Sequence, residues 1–209
     1  MALSEREAAR LHVMTEKERQ LYAGGVKLIG GADEAGRGPL AGPVVAACVV
    51  MPKDGLIAGV NDSKKISEGK RGRLYEEISK ECLGFGIGIV GPDEIDDINI
   101  LNATRKAFKM AGEALSLKPE HMLCDAISGV DFGCPSSYIV RGDTLSYSIA
   151  AASIIAKVTR DRIMIEYDEI YPQYGFARHK GYGTKQHTDA LKIFGPCPIH
   201  RRTFISRFV

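Results

Sequence analysis

The stretch Asp33-Glu-Ala-Gly-Arg-Gly-Pro-Leu-Ala-Gly-Pro43 follows directly on the apolar run Val26–Ala32. The run reads as a buried strand, so two adjacent carboxylates stand at its exit. Such a pair is costly inside a protein unless a metal or another cation neutralises it. Neighbouring side chains of a regular strand point to opposite faces. For both acids to serve one site the strand must end or bulge there, and Gly36 and Gly38 supply the freedom to do so. Further short apolar runs follow at Pro43–Met51, Phe85–Val90, His121–Cys124 and Tyr138–Val140, for five predicted strands in all. Helical patterns fall at about 68–82, 99–116, 145–170 and 185–194, the last between Thr184 and Gly195-Pro196. Strands grouped early and then alternating with helices predict an α/β fold, a mixed sheet flanked by helices.

Other acids occupy equivalent places. Asp125 ends the apolar run Met122-Leu123-Cys124, and Asp143 precedes Thr-Leu-Ser and a long helix. Each also suits a turn or an N-cap, where aspartate is common. Three separate segments nonetheless deliver carboxylates to strand exits or helix starts, where α/β sheets build their sites. Oxygen-only ligands suit Mg²⁺ or Mn²⁺ better than Zn²⁺. The pattern suggests a metal-dependent nuclease.

The 209 residues suit one domain of ordinary size, divided here into a helical extension over 1–25 and a main domain over 26–209. Ser4 and Glu7 have capping-box spacing, and one mixed-charge helix is predicted to run to about Tyr22, where Gly24-Gly25 stops it. A formal charge of only +2 means that a nucleic-acid partner has to be met by a local patch. Five cysteines without a C-x-x-C pair point to reduced thiols in a cytoplasmic protein. The charged N-terminus speaks against a signal peptide or membrane span.

The segment Gly175–His187 sets Arg178, Lys180 and Lys185 around Tyr182, between glycines. It suits either a solvated surface loop or a contact to phosphates and a sugar or base face. Asn61-Asp-Ser-Lys-Lys65, with Ser63 and Lys64, is a second candidate for phosphate contact. The small residues Ala150–Ser153 read as close packing against the sheet. Lys157 and Asp161 are expected to pair on the helix surface, outside the chemistry. His179, His187 and His200 read as surface or packing residues, with nothing to pair them.

Taken together these motifs resemble bacterial ribonuclease HII, from about Lys27 to Arg202. The resemblance is carried by Gly31–Val44, Asp62-Ser-Lys-Lys65, Asp125 after its strand, Gly142–Asp161, His179-Lys-Gly-Tyr-Gly-Thr184 and Arg201-Arg-Thr-Phe204. It implies a ribonuclease H-like fold, a central mixed five-stranded sheet with flanking helices and a C-terminal helical portion. It also implies an endonuclease that cuts the RNA strand of RNA–DNA hybrids and cuts 5′ of single ribonucleotides embedded in duplex DNA, leaving 5′-phosphate and 3′-hydroxyl ends. By motif position, Asp33, Glu34, Asp125 and Asp143 match the four carboxylates that hold two Mn²⁺ or Mg²⁺ ions. Gly36, Arg37 and Gly38 match the tripeptide that reads the ribose 2′-hydroxyl, and Tyr182 the tyrosine that packs on that sugar. Ser63, Lys64, Thr184 and Lys185 are assigned to substrate binding. The expected partners are nucleic acid and, from the aromatic spacing of Phe204-Ile-Ser-Arg-Phe208, a sliding clamp, with the chain a monomer. A relative of the ribonuclease HIII type would need a larger N-terminal domain. A silent hybrid-binding protein would have no use for four mutually repelling acids.

Overall fold

In the computed structural model, which describes residues 4–208, the run ahead of Asp33 forms the central strand β1 (Ile29–Ala35). Around it lie β2 (Val44–Val50), β3 (Gly84–Val90), β4 (His121–Asp125) and β5 (Ser136–Ile139), in the order β3-β2-β1-β4-β5. β2 pairs antiparallel with β1 and β3, whereas β4 pairs parallel with β1 and β5. The sheet is therefore mixed and five-stranded, as the sequence pattern predicts.

β2 is buried along its whole length, and its side chains divide by parity. Ala47 and Val49 enter the core under helices α1 (Glu5–Met14), α3 (Glu68–Glu81) and α6 (Tyr147–Ile170). Val44, Ala46, Cys48 and Val50 enter the opposite core, beneath α4 (Pro92–Glu113), with Phe108 and Ala107. The small stripe of α6 does pack on the sheet: Ala150, Ala151 and Ala152 are fully buried. Close approach there depends on Gly31, where an added Cβ would fall 2.1 Å from the Ser148 carbonyl. A third cluster forms under the C-terminal helices α7 (Phe176–His179), α8 (Lys185–Phe194) and α9 (Arg202–Ile205), and takes in Leu40 and Ala41. Among the described residues no helix is long and apolar enough to cross a membrane.

Some boundaries differ from the sequence reading. β1 neither ends nor bulges at the acids, because Asp33 and Glu34 stay paired with the small residues Ala47 and Ala46 of β2. α4 begins earlier than predicted, at Pro92, a residue suited to a first helical turn. Its predicted start survives as a break, since Asn99 has φ 65° and its side chain accepts from the amides of Leu101 and Asn102. A separate turn α5 (Gly142–Leu145) precedes α6. The N-terminal helix is two, α1 and α2 (Glu16–Ala23), parted at Thr15, whose hydroxyl bonds the Leu11 carbonyl.

Candidate active site at the exits of β1 and β4

Parallel pairing aligns Ala32 with Cys124, so Asp33 and Asp125 leave the sheet side by side. The chain then returns through β5 and sets Asp143 in α5, just ahead of α6. Carboxylate oxygens of Asp33, Asp125 and Asp143 all lie within 4.8 Å of one another. Strand alternation explains which acids meet. Ala35 faces the α6 core and Ala32 the α4 core, so Asp33 joins the α6 side with the other two. Glu34 points the other way and is not in this cluster, which corrects the expectation that a bulge would turn both acids inward.

Glu34 still feels the cluster. Burial, opposed by Arg37 and reinforced by Asp125, pushes its carboxyl up to about 7. Its Oε1 lies 3.5 Å from Arg37, while Oε2 is buried without a partner. Burial and then the negative charges of Glu34 and Asp125 raise Asp33 well above the usual carboxylate range. Burial and the nearby Asp62 also raise Asp143, against the pull of Lys64, whose Nζ is 3.5 Å from its Oδ2. Asp125 is held in place by the Gly142 amide, 2.7 Å from its Oδ1. Acids that resist ionisation together, an orphaned Glu34 oxygen and an all-oxygen donor set fit a hard divalent cation.

A second group lies along the turn after β1. Gly36 has φ 96°, and a Cβ there would strike the Arg160 guanidinium at 2.0 Å. Arg37 and Gly38 are exposed, and nothing lies within 4 Å of a Cβ built on Gly38. The Tyr182 segment is bonded directly to this turn: the Leu40 amide donates to the Gly181 carbonyl at 2.8 Å. Tyr182 is 44% exposed, with its ring over Arg160 and Lys157 at about 6 Å. The turn after β1 and the Tyr182 segment thus lie side by side, joined at Leu40–Gly181, with the Arg160 guanidinium against both Gly36 and the Tyr182 ring.

Two buried arginines that sequence reasoning missed hold this arrangement. Arg201 donates to the carbonyls of Gly36 (2.6 Å), Arg37 (2.9 Å) and Gly42 (2.9 Å). Arg160 donates to those of Pro43 (2.9 Å), Lys180 (2.9 Å) and Ala41 (3.1 Å). Burial lowers their pKa to about 9 and about 10, which leaves both charged at neutral pH. Arg141, left-handed at φ 59°, shares an open concavity with Lys64, Lys65, Asp125 and Asp143 and was also overlooked.

The remaining candidates separate. Lys64 sits beside the triad, but Ser63 is buried with its carbonyl held by Arg71. Thr184 caps α8 by accepting from the His187 amide, and exposed Lys185 pairs with Asp189. Lys180 is not a solvated loop lysine: it is buried, and its Nζ engages the Ala177 carbonyl and Glu68. Lys157 and Asp161 do pair, at 2.6 Å, yet Asp161 is buried and also meets Arg71, so this is no surface contact. The histidines are buried against one another rather than unpaired, with His187 and His200 in contact through their Nε2 atoms at 2.9 Å.

A mixed five-stranded sheet in this order, with acids converging at the exits of its central parallel strands, defines a metal-dependent nuclease of the ribonuclease H fold. The Ribonuclease HII family model matches residues 30–207. Ribonuclease HII of Caldanaerobacter subterraneus is 57% identical over 98% of this chain and 85% of its own length. The ribonuclease H2 of Pyrococcus horikoshii superposes with a TM-score of 0.72 at 29% identity, covering 87% of this chain and 98% of that one. The structure of the PCNA:RNase HII complex from Archaeoglobus fulgidus gives 0.70, also at 29% identity, over 83% and 93%. The chain belongs to the Ribonuclease HII family, hydrolytic endoribonucleases that cleave RNA in RNA–DNA hybrids.

Proposed function

We propose that this chain, besides cutting hybrids, cuts 5′ of a single ribonucleotide embedded in duplex DNA and leaves 5′-phosphate and 3′-hydroxyl ends. The observation that carries this reading is the main-chain bond from Leu40, just after Gly36–Gly38, to the carbonyl of Gly181, just before Tyr182. At an isolated ribonucleotide the 2′-hydroxyl is what separates RNA from DNA, so a site for it must contact that group closely. The space beside Gly38 admits a sugar to the backbone, and the exposed Tyr182 ring offers an apolar face to the same sugar.

Asp33, Asp125 and Asp143, with Glu34 at the edge, would hold the divalent ions, two Mn²⁺ or Mg²⁺ in the catalytic complex. Bound there, such ions supply an activated water and charge neutralisation for in-line displacement at phosphorus. The chain's own groups orient and select. The Gly142 amide fixes Asp125, Lys64 offsets the charge of Asp143 and offers a cation to phosphate, and Lys185 adds another on the α8 side. A cytoplasmic role in excising ribonucleotides from DNA follows from the same substrate. The Archaeoglobus complex supports a clamp contact, for which Phe204–Phe208 is the candidate segment here; the chain is taken to act as a monomer.

The deciding assay uses a duplex with one ribonucleotide and its all-DNA counterpart, with Mg²⁺ or Mn²⁺ and then with excess EDTA. Cleavage of the first alone, lost in EDTA, with a 5′-phosphate on the downstream product, is expected. Equal cleavage of the all-DNA duplex, or full activity in chelator, would overturn the reading.

A further inference from the structure

The buried histidines carry a hydrogen-bond order that their neighbours determine completely. The Cys197 amide can only donate, and it lies 2.9 Å from His200 Nδ1, so that nitrogen is the acceptor. The Cys197 carbonyl, also near Nδ1, already accepts from the His200 amide. His200 therefore carries its proton on Nε2 and donates to His187 Nε2 at 2.9 Å. His187 in turn must be protonated on Nδ1, which lies 3.0 Å from the Tyr182 carbonyl. The result is a one-way relay from Cys197 through His200 and His187 to the main chain of Tyr182. His179 stacks on His187 with centroids 4.6 Å apart, and its Nδ1 accepts from the Gly181 amide.

The other end of the relay reaches the glycine turn. His200 pairs with Ala41 in an isolated bridge, and the next residue is Arg201, whose guanidinium clamps the Gly36 and Arg37 carbonyls. His200 thus joins two groups far apart in the chain: the turn after β1 through its main-chain bridge to Ala41, and Tyr182 through its ring by way of His187.

We infer that His200 and His187 are positioning residues that set the spacing between the Gly36–Gly38 turn and Tyr182, and so determine selectivity for a lone ribonucleotide without touching nucleic acid. This rests on the assignment of those two elements to ribose recognition. A displacement of a positioned group by about 1 Å can cost up to roughly a hundredfold in rate. Losing one buried strut while the Leu40–Gly181 bond remains is expected to cost less.

The test compares kcat/KM on a single-ribonucleotide duplex and on a long RNA–DNA hybrid for Tyr182→Ala, His200→Ala, His200→Gln and the double variant Tyr182→Ala/His200→Ala. His200→Ala should lose roughly tenfold on the single ribonucleotide and about twofold or less on the hybrid. His200→Gln, whose Nε2 can still donate to His187, should restore most of the selectivity. The double variant should be no worse than Tyr182→Ala alone, because both act through one contact. Equal losses of His200→Ala on the two substrates, or additive losses in the double variant, overturn the relay as a selectivity device. Equal losses of Tyr182→Ala on both substrates instead overturn the assignment beneath it. A second measurement needs no variant: ¹⁵N NMR of the wild-type imidazoles at neutral pH should read His187 as protonated on Nδ1 and His200 on Nε2. Any other pair of tautomers overturns the relay even if every variant fails to fold.

Discussion

Asp33→Asn or Asp125→Asn puts a neutral amide in place of an ionisable carboxyl where three acids crowd within 4.8 Å, Asp33 among them held well above its ordinary pKa by burial and by Glu34 and Asp125. The expected result is loss of most hydrolysis with hybrid binding retained, and a metal-free protein at least as stable as the wild type, since repulsion falls. Gel-shift binding in Ca²⁺ beside a cleavage assay in Mg²⁺ checks this, and near wild-type turnover would refute the assignment. The raised carboxyls also set a pH dependence. Glu34 titrates at about 7 in the folded chain against 4.5 ordinarily, so between those values the metal-free native state holds a proton that the unfolded chain has released. Metal-free stability from this group is therefore lost as pH rises through that window. A divalent ion replaces the proton, so the gain in Tm on adding Mn²⁺ should be small near pH 5 and larger near pH 8. Equal Tm gains at both would exclude the carboxylates as the binding groups. Comparing loaded with metal-free protein removes the opposite trend of His187 and His200, which burial lowers to about 4.

Two elements, the turn after β1 and the segment between α7 and α8, share one framework, so substitutions in them divide by what they present to substrate. Tyr182→Ala removes a half-exposed ring, and a lost stacking contact is worth about 1–3 kcal/mol. It should reduce cleavage at a single ribonucleotide more than cleavage of a long hybrid, where many registers are available. Lys185→Ala should weaken both substrates alike and flatten the salt dependence, since phosphates carry no sugar information. Measuring kcat/KM on both substrates over a salt series separates the two, and a selective loss for Lys185→Ala would contradict its assignment. How far these elements could be read in advance depends on the range of the interactions that make them. Periodicity and turn residues are local, so α8 appears at Lys185–Phe194 as predicted. The course of β1 through Asp33 and Glu34 depends on Ala46 and Ala47 across the ladder, and local pattern does not report it. Arg160 bonds carbonyls 117 and 119 positions away, and Arg201 reaches 165, so neither could be told from a surface arginine in the sequence. Lys180 misled for the same reason, since Glu68, the acid it meets, stands far away in the chain at the start of α3.

The whole molecule ties its N-terminal helices to the site from behind. Leu11 and Met14 are buried in the core that also holds α6. Arg10 donates to the Val60 carbonyl, and Glu7 accepts from the Gly59 amide, on the segment leading to Lys64. Glu18 is buried, and its Oε1 accepts from the Ser146 hydroxyl at 2.6 Å and the Ser148 amide at 2.9 Å, at the start of the helix that follows Asp143. Each buried apolar side chain contributes about 1.5–3 kcal/mol, and leaving a buried donor unpaired costs about 1–3 kcal/mol. Removal of the residues before Gly24 should therefore cost several kcal/mol, a large share of the roughly 5–15 kcal/mol that holds a domain of this kind together. Glu18→Ala alone should lower stability by about 1–3 kcal/mol, because Ser146 and Ser148 lose their shared acceptor. It should also reduce turnover more than hybrid binding, since Asp143 rides on the turn that Ser146 ends. Urea midpoints for the two variants, read beside kcat and hybrid affinity, test both statements. An unchanged midpoint in the truncated chain would show that α1 and α2 add nothing to the fold, and a Glu18→Ala protein that binds poorly but turns over normally would cut the argued link from Glu18 to Asp143.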